Sequence, residues 1–384
     1  MDFQRPGTVR ITCLPGLAPY LQAEVSDRGY AVDAVEKTFI EITATLDDTM
    51  RLNLQLRTAL AVLWLIHAFD CHTPDVLYET VFELPWEDML SPDGYLCVVA
   101  RVTHPTIDNA MFAGLKVKDA VVDRLQGIHG QRPDSGPERD RFVLNLIWRG
   151  ETARLFLNTT GRKLSDRNYR KIPHTAPMQE TLASGVLLAT GYTGREPLVN
   201  PMCGSGTLAI EAALIATGRA PGLIRDQYGF MHTLGFDLDA WQTFRHEARK
   251  GGNKFAPAPI IATDRDARAV EAARRNAQTA GVDHLIMFEV CDFLETPIPE
   301  GPGIVILNPE YGMRVGEIAA LEKTYAGIGD FFKQRCAGYT GYVFTGNLEL
   351  AKKVGLRASR RMIFWNAKIE CRLLKYELYA GRRE

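Results

Sequence analysis

Apolar and polar positions divide the chain into two textures. In the first third, short alternating runs lie among helical spacings. "VRITCL" and "FIEITATL" read as strands. Leu17, Leu21 and Val25 recur every four residues in "PGLAPYLQAEVSDRGY", which predicts a helix with one apolar face that stops at Gly29. "DTMRLNLQLRTALAVLWLI" is apolar enough to predict a largely buried helix. "YLCVVARVTH" and "RFVLNLIWRG" predict strands around the helix-like "GLKVKDAVVDRLQGI", with "HGQRPDSGPERD" as a loop.

From about residue 158 the texture changes. "NTTGRKLSDRNYRKIPHTAP" is polar, basic and aperiodic, as a linker would be. Beyond it, "PLVN", "PIIATD", "LIMFEV", "GIVILN" and "TGYVFTG" alternate with helical stretches that include "GTLAIEAALIATG" and "ARAVEAARRNAQTAG". That order predicts a doubly wound α/β fold with a mostly parallel sheet. "RRMIFW", a short "NAK" turn and "ECRLLKYELYAG" predict a closing hairpin, and with it an antiparallel strand. No internal repeat is present.

Composition narrows the classes. The 384 residues suffice for two or three domains, and 46% apolar with 24% charged residues is ordinary for a soluble globular protein. The N-terminus has no apolar core of signal-peptide type, and no uncharged run reaches about 18 residues. Seven cysteines are scattered without C-x-x-C pairs, which argues for a reducing compartment and against a zinc site. The expectation is a cytoplasmic protein with no metal and no membrane partner, its oligomeric state left open with a monomer favoured. Net charge is −1, but ten Lys/Arg face five Asp/Glu between Arg132 and Lys171, and ten face three from Lys352 onward. Basic stretches of this kind are what phosphate contacts require, although most are simply solvated surface.

The candidate chemistry lies in the second half. In "PLVNPMCGSGTLAIEAAL", Gly204 and Gly206 allow a tight strand-to-helix turn and close backbone approach to a ligand. Gly204, Gly206 and Ala209 also fit the dinucleotide fingerprint, which expects an acid ending the next strand about 20 residues on. Asp226 is near that spacing but "LIRDQYG" is not a strand end, and Asp264 comes too late, so an NAD-dependent oxidoreductase is the least favoured reading. No Gly-Lys-Ser/Thr follows, which excludes a P-loop. Asp264 ends the second strand and Asp292 the third. Alone, each is an N-cap or turn former. Together, at those strand ends, they describe a pocket for S-adenosylmethionine, one carboxylate for the ribose and one for the adenine. The fourth strand ends in "NPEYG", Asn308 to Gly312. The Asn308 side chain and the Pro309 carbonyl can accept hydrogen bonds from an exocyclic amine, and Tyr311 can stack on its base. In isolation, Asn-Pro is a strand-terminating turn.

"NPMCGSGTLAIEAALIATGRAPG", "TDRDARAVEAARRNAQTAG", "NPEYGMR" and "ECRLLKYEL" resemble THUMP-domain RNA guanine-N2-methyltransferases, in particular their bacterial 23S rRNA branch. "LRTALAVLWLI", "LPWEDML", "KVKDAVVD" and "RNYRKIPHTAPMQETLASGVLL" extend the resemblance over nearly the whole chain. It implies a ferredoxin-like subdomain over 1–56, a THUMP domain over 57–157, a linker over 158–175 and a Rossmann-like methyltransferase domain over 176–384. It implies that Asn200, Pro201, Met202, Cys203, Gly204, Ser205, Gly206 and Thr207 line the methionine end of the cofactor, with Asp264 at the ribose and Asp292 at the adenine. Asn308, Pro309 and Tyr311 would form the target site and the THUMP region would grip RNA. Arg167, Tyr169, Arg170 and Lys171 in the connection are candidate phosphate and stacking contacts.

Glu310 departs from the family, which usually has proline there. The change frees Pro309 from the restraint of a following proline and adds a carboxylate beside the target site. Three readings stay open: a 23S rRNA guanine-N2-methyltransferase, a tRNA enzyme of the same class, or an RNA-binding relative impaired by Glu310.

Overall fold

A computed structural model describes residues 2–104, 107, 109–172, 177–312 and 315–379. The chain forms two compact units: Met1–Cys13, Leu21–Leu164 and Arg225–Glu247 make the first, and Leu14–Tyr20, Ser165–Ile224 and Ala248–Glu384 the second.

The first unit is built on β1 (Gly7–Cys13), α1 (Ala18–Ser26, entering from the second unit), β2 (Val32–Glu36), β3 (Phe39–Ala44), α2 (Leu46–Gln55), β4 (Ala59–Asp70), α3 (Pro74–Phe82), β5 (Tyr95–Thr103), α4 (Ala110–His129), β6 (Asp134–Ser135), β7 (Phe142–Arg149) and β8 (Thr152–Asn158). The strands form one eight-stranded sheet in the order β2-β3-β1-β4-β8-β7-β5-β6, antiparallel except where β5 meets β7 and β6.

One predicted element divides. The long apolar run expected as a single helix is helical only to Gln55 and then becomes the twelve-residue β4. α2 starts on a capping box between Thr45 and Asp48. Its continuation is stopped by Glu24, whose carboxylate accepts from the backbone amides of Arg57 and Thr58, each at 2.9 Å, and from the Thr58 hydroxyl at 2.6 Å. That side chain is 7% exposed and answers amides that would otherwise bond along a helix. A run apolar on every side has no period to distinguish the two outcomes. β2, β8 and α3 also emerge where no element was expected.

The second unit continues with α5 (Glu180–Thr190), β9 (Leu198–Pro201), α6 (Thr207–Ala216), α7 (Leu238–Lys250, which starts in the first unit), β10 (Ile260–Asp264), α8 (Ala267–Ala280), β11 (Ile286–Val290), β12 (Ile304–Leu307), α9 (Val315–Arg335), β13 (Thr340–Thr345), α10 (Leu348–Lys352), β14 (Arg360–Asn366) and β15 (Ile369–Glu377). Its seven strands run β11-β10-β9-β12-β13-β15-β14. The first five are parallel and β15 lies antiparallel to β13, which is the predicted mostly parallel sheet with a closing hairpin. The order reverses at β9, so β9 and β12 are neighbours whose carboxyl ends open on one crevice. Behind β12 and β13, Tyr325, Ile328, Phe331 and Phe332 of α9 fill the core and fix those strand ends. No helix among the described residues is long and apolar enough to cross a membrane.

Candidate active site

β9 delivers the glycine-rich turn. Met202, Gly204 and Gly206 all take positive φ (56°, 55° and 84°), which winds the backbone from the strand into α6. The two glycines differ in their surroundings. A Cβ on Gly206 would lie 2.8 Å from the Ala273 Cβ of α8, so this glycine is needed for packing. A Cβ on Gly204 would meet nothing within 4 Å, so this side of the turn is open to a ligand.

Asp264 holds the turn from β10. One carboxylate oxygen accepts from the Gly204 amide and the other from the Asp266 amide, both at 3.0 Å. Each oxygen retains a lone pair for a further donor. Asn276 of α8 grips the turn from beneath by donating to the Ser205 carbonyl at 3.1 Å. Asn200 is 1% exposed; its amide donates to the Ile306 carbonyl at 2.9 Å and so ties β9 to β12. The other side-chain atom, Oδ1, is buried with no hydrogen-bond partner among the described residues. Burial, and then the Asp264 carboxylate, push the Cys203 thiol well up, so Cys203 is a neutral wall rather than a nucleophile. Asp292 is exposed at the end of β11, and one of its oxygens caps the Leu294 amide at 3.0 Å.

The second wall is the loop after β12. Tyr311 turns inward: its hydroxyl donates to Asn308 Oδ1 at 2.8 Å and its ring packs 6.4 Å from that of Phe344. Its neighbours hold the loop backbone. The buried Tyr325 hydroxyl donates to the Glu310 carbonyl at 3.2 Å and pairs with Thr345 Oγ1 at 2.7 Å. Asn347 donates to the Tyr311 carbonyl at 3.0 Å. The Glu310 side chain is exposed and has no hydrogen-bond partner among the described residues. Loop order therefore comes from hydrogen bonds rather than from a second proline. Tyr325, Thr345, Asn347 and Asn276 were not singled out from the sequence. "FTGN" at the end of the next strand was the one available signal for Thr345 and Asn347, whereas Tyr325 is an ordinary helical tyrosine until folded.

The connection differs from expectation. Arg167 and Tyr169 are 2% and 1% exposed, and both reach Glu211 of α6, Arg167 at 3.0 Å and the Tyr169 hydroxyl at 2.9 Å. Ser184 adds a third bond to the same carboxylate at 2.6 Å. Arg170 pairs with Glu180 at 2.9 Å and donates to the Met178 carbonyl. Arg167 and Tyr169 are thus desolvated and paired within the protein and Arg170 largely so, so that three of the four residues expected to contact RNA serve as internal ties. Lys171 is exposed, while its backbone and that of Ile172 are held by Asn276. Residues 173–176 of the connection and 313–314 after the acceptor loop lie outside the described residues. Among the described residues no cluster of His, Cys, Asp or Glu is placed to hold a metal.

Residues 167–375 match the model of the RMKL-like methyltransferase domain, 8–63 the RlmL ferredoxin-like domain and 71–155 the THUMP domain. This chain belongs to the RMKL-like methyltransferase family. It is 38% identical over 382 residues to a protein of Syntrophotalea carbinolica named ribosomal RNA large subunit methyltransferase K/L, covering 97% of this chain and 53% of that one. It is 33% identical over 370 residues to a candidate RNA methyltransferase of Synechocystis sp., with 96% of both chains covered. The chain thus spans about half the length of its K/L relatives and nearly all of the Synechocystis protein. The crystal structure of SMU.472, a candidate methyltransferase complexed with SAH, superposes with a TM-score of 0.88 at 26% identity over all of both chains. The family has the α/β Rossmann-like catalytic fold behind a ferredoxin-like and THUMP region, as the sequence resemblance implied.

Proposed function

We propose that this chain is an S-adenosylmethionine-dependent RNA methyltransferase that modifies the exocyclic N2 of a guanine, with 23S rRNA as substrate. The observation that carries the reading is the glycine turn after β9, where Gly204 faces open space beside the Asp264 carboxylate and next to β12, which ends in the Asn308–Tyr311 loop. Open space beside a strand-end carboxylate, at a glycine turn leading into a helix, fits a nucleoside cofactor with an amino-acid tail. Asn200 to Thr207 would hold its methionine end, Asp264 its ribose and Asp292 its adenine. Bound there, the cofactor supplies an electrophilic methyl group. A bound SAH in the related SMU.472 and the rRNA names of the K/L relatives support the same assignment.

The chain's own part is positioning. Asn308 Oδ1 takes one hydrogen bond from Tyr311, and a second lone pair remains for the guanine amine. The Pro309 carbonyl is the second acceptor, with no hydrogen bond to it among the described residues. Two acceptors on the amine localise its lone pair for in-line attack, without a covalent intermediate. Tyr311 buttresses Asn308 in this arrangement. The exposure of Glu310 supports a working site rather than an impaired one. Nucleoside mass spectrometry of rRNA and tRNA from a deletion strain tests the reading. Loss of one N2-methylguanosine from 23S rRNA is expected; its retention there, with loss from tRNA, would move the substrate, and retention in both would refute the activity.

A further inference from the structure

With Arg167 and Tyr169 buried and Arg170 paired with Glu180, the basic stretch from Arg132 to Lys171 needs another account. The register of the first sheet supplies one. Ala68, Arg154, Ile147 and Arg101 pair across β4, β8, β7 and β5 in one row. Asp70, Thr152, Arg149 and Thr103 form the next row on the same strands, two residues along and hence on the same face. The opposite face is covered: Gly114 of α4 lies against Val98 and Ala100. The arginine face is open, with Ala68, Arg101, Thr103, Arg149 and Thr152 all exposed.

Its charge is incompletely answered. Glu41 is shared by Arg10 at 2.8 Å and Arg154 at 2.9 Å, one carboxylate for two guanidiniums. Arg10 is held below its usual value, by burial first and further by the charges of Arg154 and Arg149, so these guanidiniums lie within one field. Arg101 and Arg149 have no ion-pair or hydrogen-bond partner among the described residues, and Asp70 is the acid in their two rows. Two unpaired forks, a third shared one, two threonine hydroxyls and an apolar floor at Val99 and Ile147 suit a sugar-phosphate backbone. Strand spacing puts Arg101 and Arg154 about 10 Å apart, a span that reaches more than one phosphate.

We infer that this strand face is where the substrate RNA is gripped, through phosphate contacts by Arg101, Arg149 and Arg154. The inference rests on the RNA reading above and locates it. The test uses the full chain, a fluorescein-labelled unstructured RNA 20-mer, and Arg101→Gln/Arg149→Gln. Both side chains are exposed and have no partner among the described residues, so the variant should melt like wild type. Each lost contact should lower the salt slope by about 0.7, or about 1.4 for the pair. Affinity should fall about 25-fold at 0.1 M salt and converge with wild type near 1 M. The loss should be equal for unrelated sequences, and S-adenosylmethionine affinity should not change. A matched variant, Lys352→Gln/Lys353→Gln, removes the same charge from the second unit and should leave the slope nearly intact. An unchanged slope in the arginine variant, an equal drop in the lysine variant, or no RNA binding by wild type would overturn the inference. So would a polyglutamate peptide that competes as strongly as RNA for the same arginines, since the face would then fit an acidic protein. A wild-type chain that binds RNA through these arginines yet methylates no rRNA would instead refute the proposed activity and leave the surface standing.

Discussion

If hydrogen bonds substitute for the missing proline, removing one oxygen from Tyr325 should loosen the acceptor loop. Tyr325 is fully buried, and burial pushes its phenol up to about 12, so it is a neutral donor near pH 7. Its proton goes to the Glu310 carbonyl, and Thr345 can donate to it in turn. In Tyr325→Phe, Thr345 can redirect only to the Asn347 carbonyl at 3.5 Å, a poor bond, and the Glu310 carbonyl loses its protein partner. A net hydrogen bond contributes about 0.5–1.5 kcal/mol, and a dry orphan costs about 1–3 kcal/mol. Because Glu310 is at the surface, water can reach it and the lower range applies, about 1 kcal/mol. Spent on positioning the amine, that is about a fivefold loss of kcat, with S-adenosylmethionine affinity unchanged. Glu310→Pro alone should leave turnover within about twofold: the Glu310 amide donates no hydrogen bond to another described residue, its carbonyl persists, and the introduced ring would restrain Pro309. The double variant should recover most of the Tyr325→Phe loss. Single-turnover methylation of 23S rRNA fragments checks all three. Wild-type turnover in Tyr325→Phe, or no recovery in the double variant, would refute the idea that this bond replaces the proline.

Other consequences are as definite. Asp264→Ala should raise the dissociation constant for S-adenosylmethionine by about 10- to 150-fold, from about 1.5–3 kcal/mol for charge-assisted bonds, as read by isothermal titration; unchanged affinity would remove Asp264 from the pocket. Gly206→Ala combines a left-handed backbone, costing about 1–2 kcal/mol, with a collision at Ala273, so its Tm should fall further than that of Gly204→Ala, which has the same backbone cost but open space. Gly204→Ala should instead be the variant that loses cofactor affinity with little loss of fold; equal melting losses would contradict the packing described. Glu211→Gln removes the carboxylate paired with the buried Arg167 and should cost about 3–5 kcal/mol in urea unfolding, whereas a loss below about 1 kcal/mol would show the ion pair to be unimportant.

Much of the second unit was legible locally. Alternating strands and helices, the glycine turn, the strand-end acids Asp264 and Asp292 and the terminal hairpin all lie within short windows, where period and turn chemistry identify them. The first unit was less legible because "DTMRLNLQLRTALAVLWLI" has no period to choose helix over strand; Glu24, some 33 residues before the break, made that choice. The same limit explains the connection. Arg167, Tyr169 and Arg170 look solvated beside their polar neighbours, and only folding brings Glu211 and Glu180 to them. Glu310 left three readings open in the sequence, and the groups that hold its loop, Tyr325 and Asn347, come from a helix and a strand end farther along. Periodicity records which side of an element is buried. It does not record which distant group answers a charge or a carbonyl, because that depends on how separate elements pack, and at this site those distant partners decide which residues are structural and which are left to act.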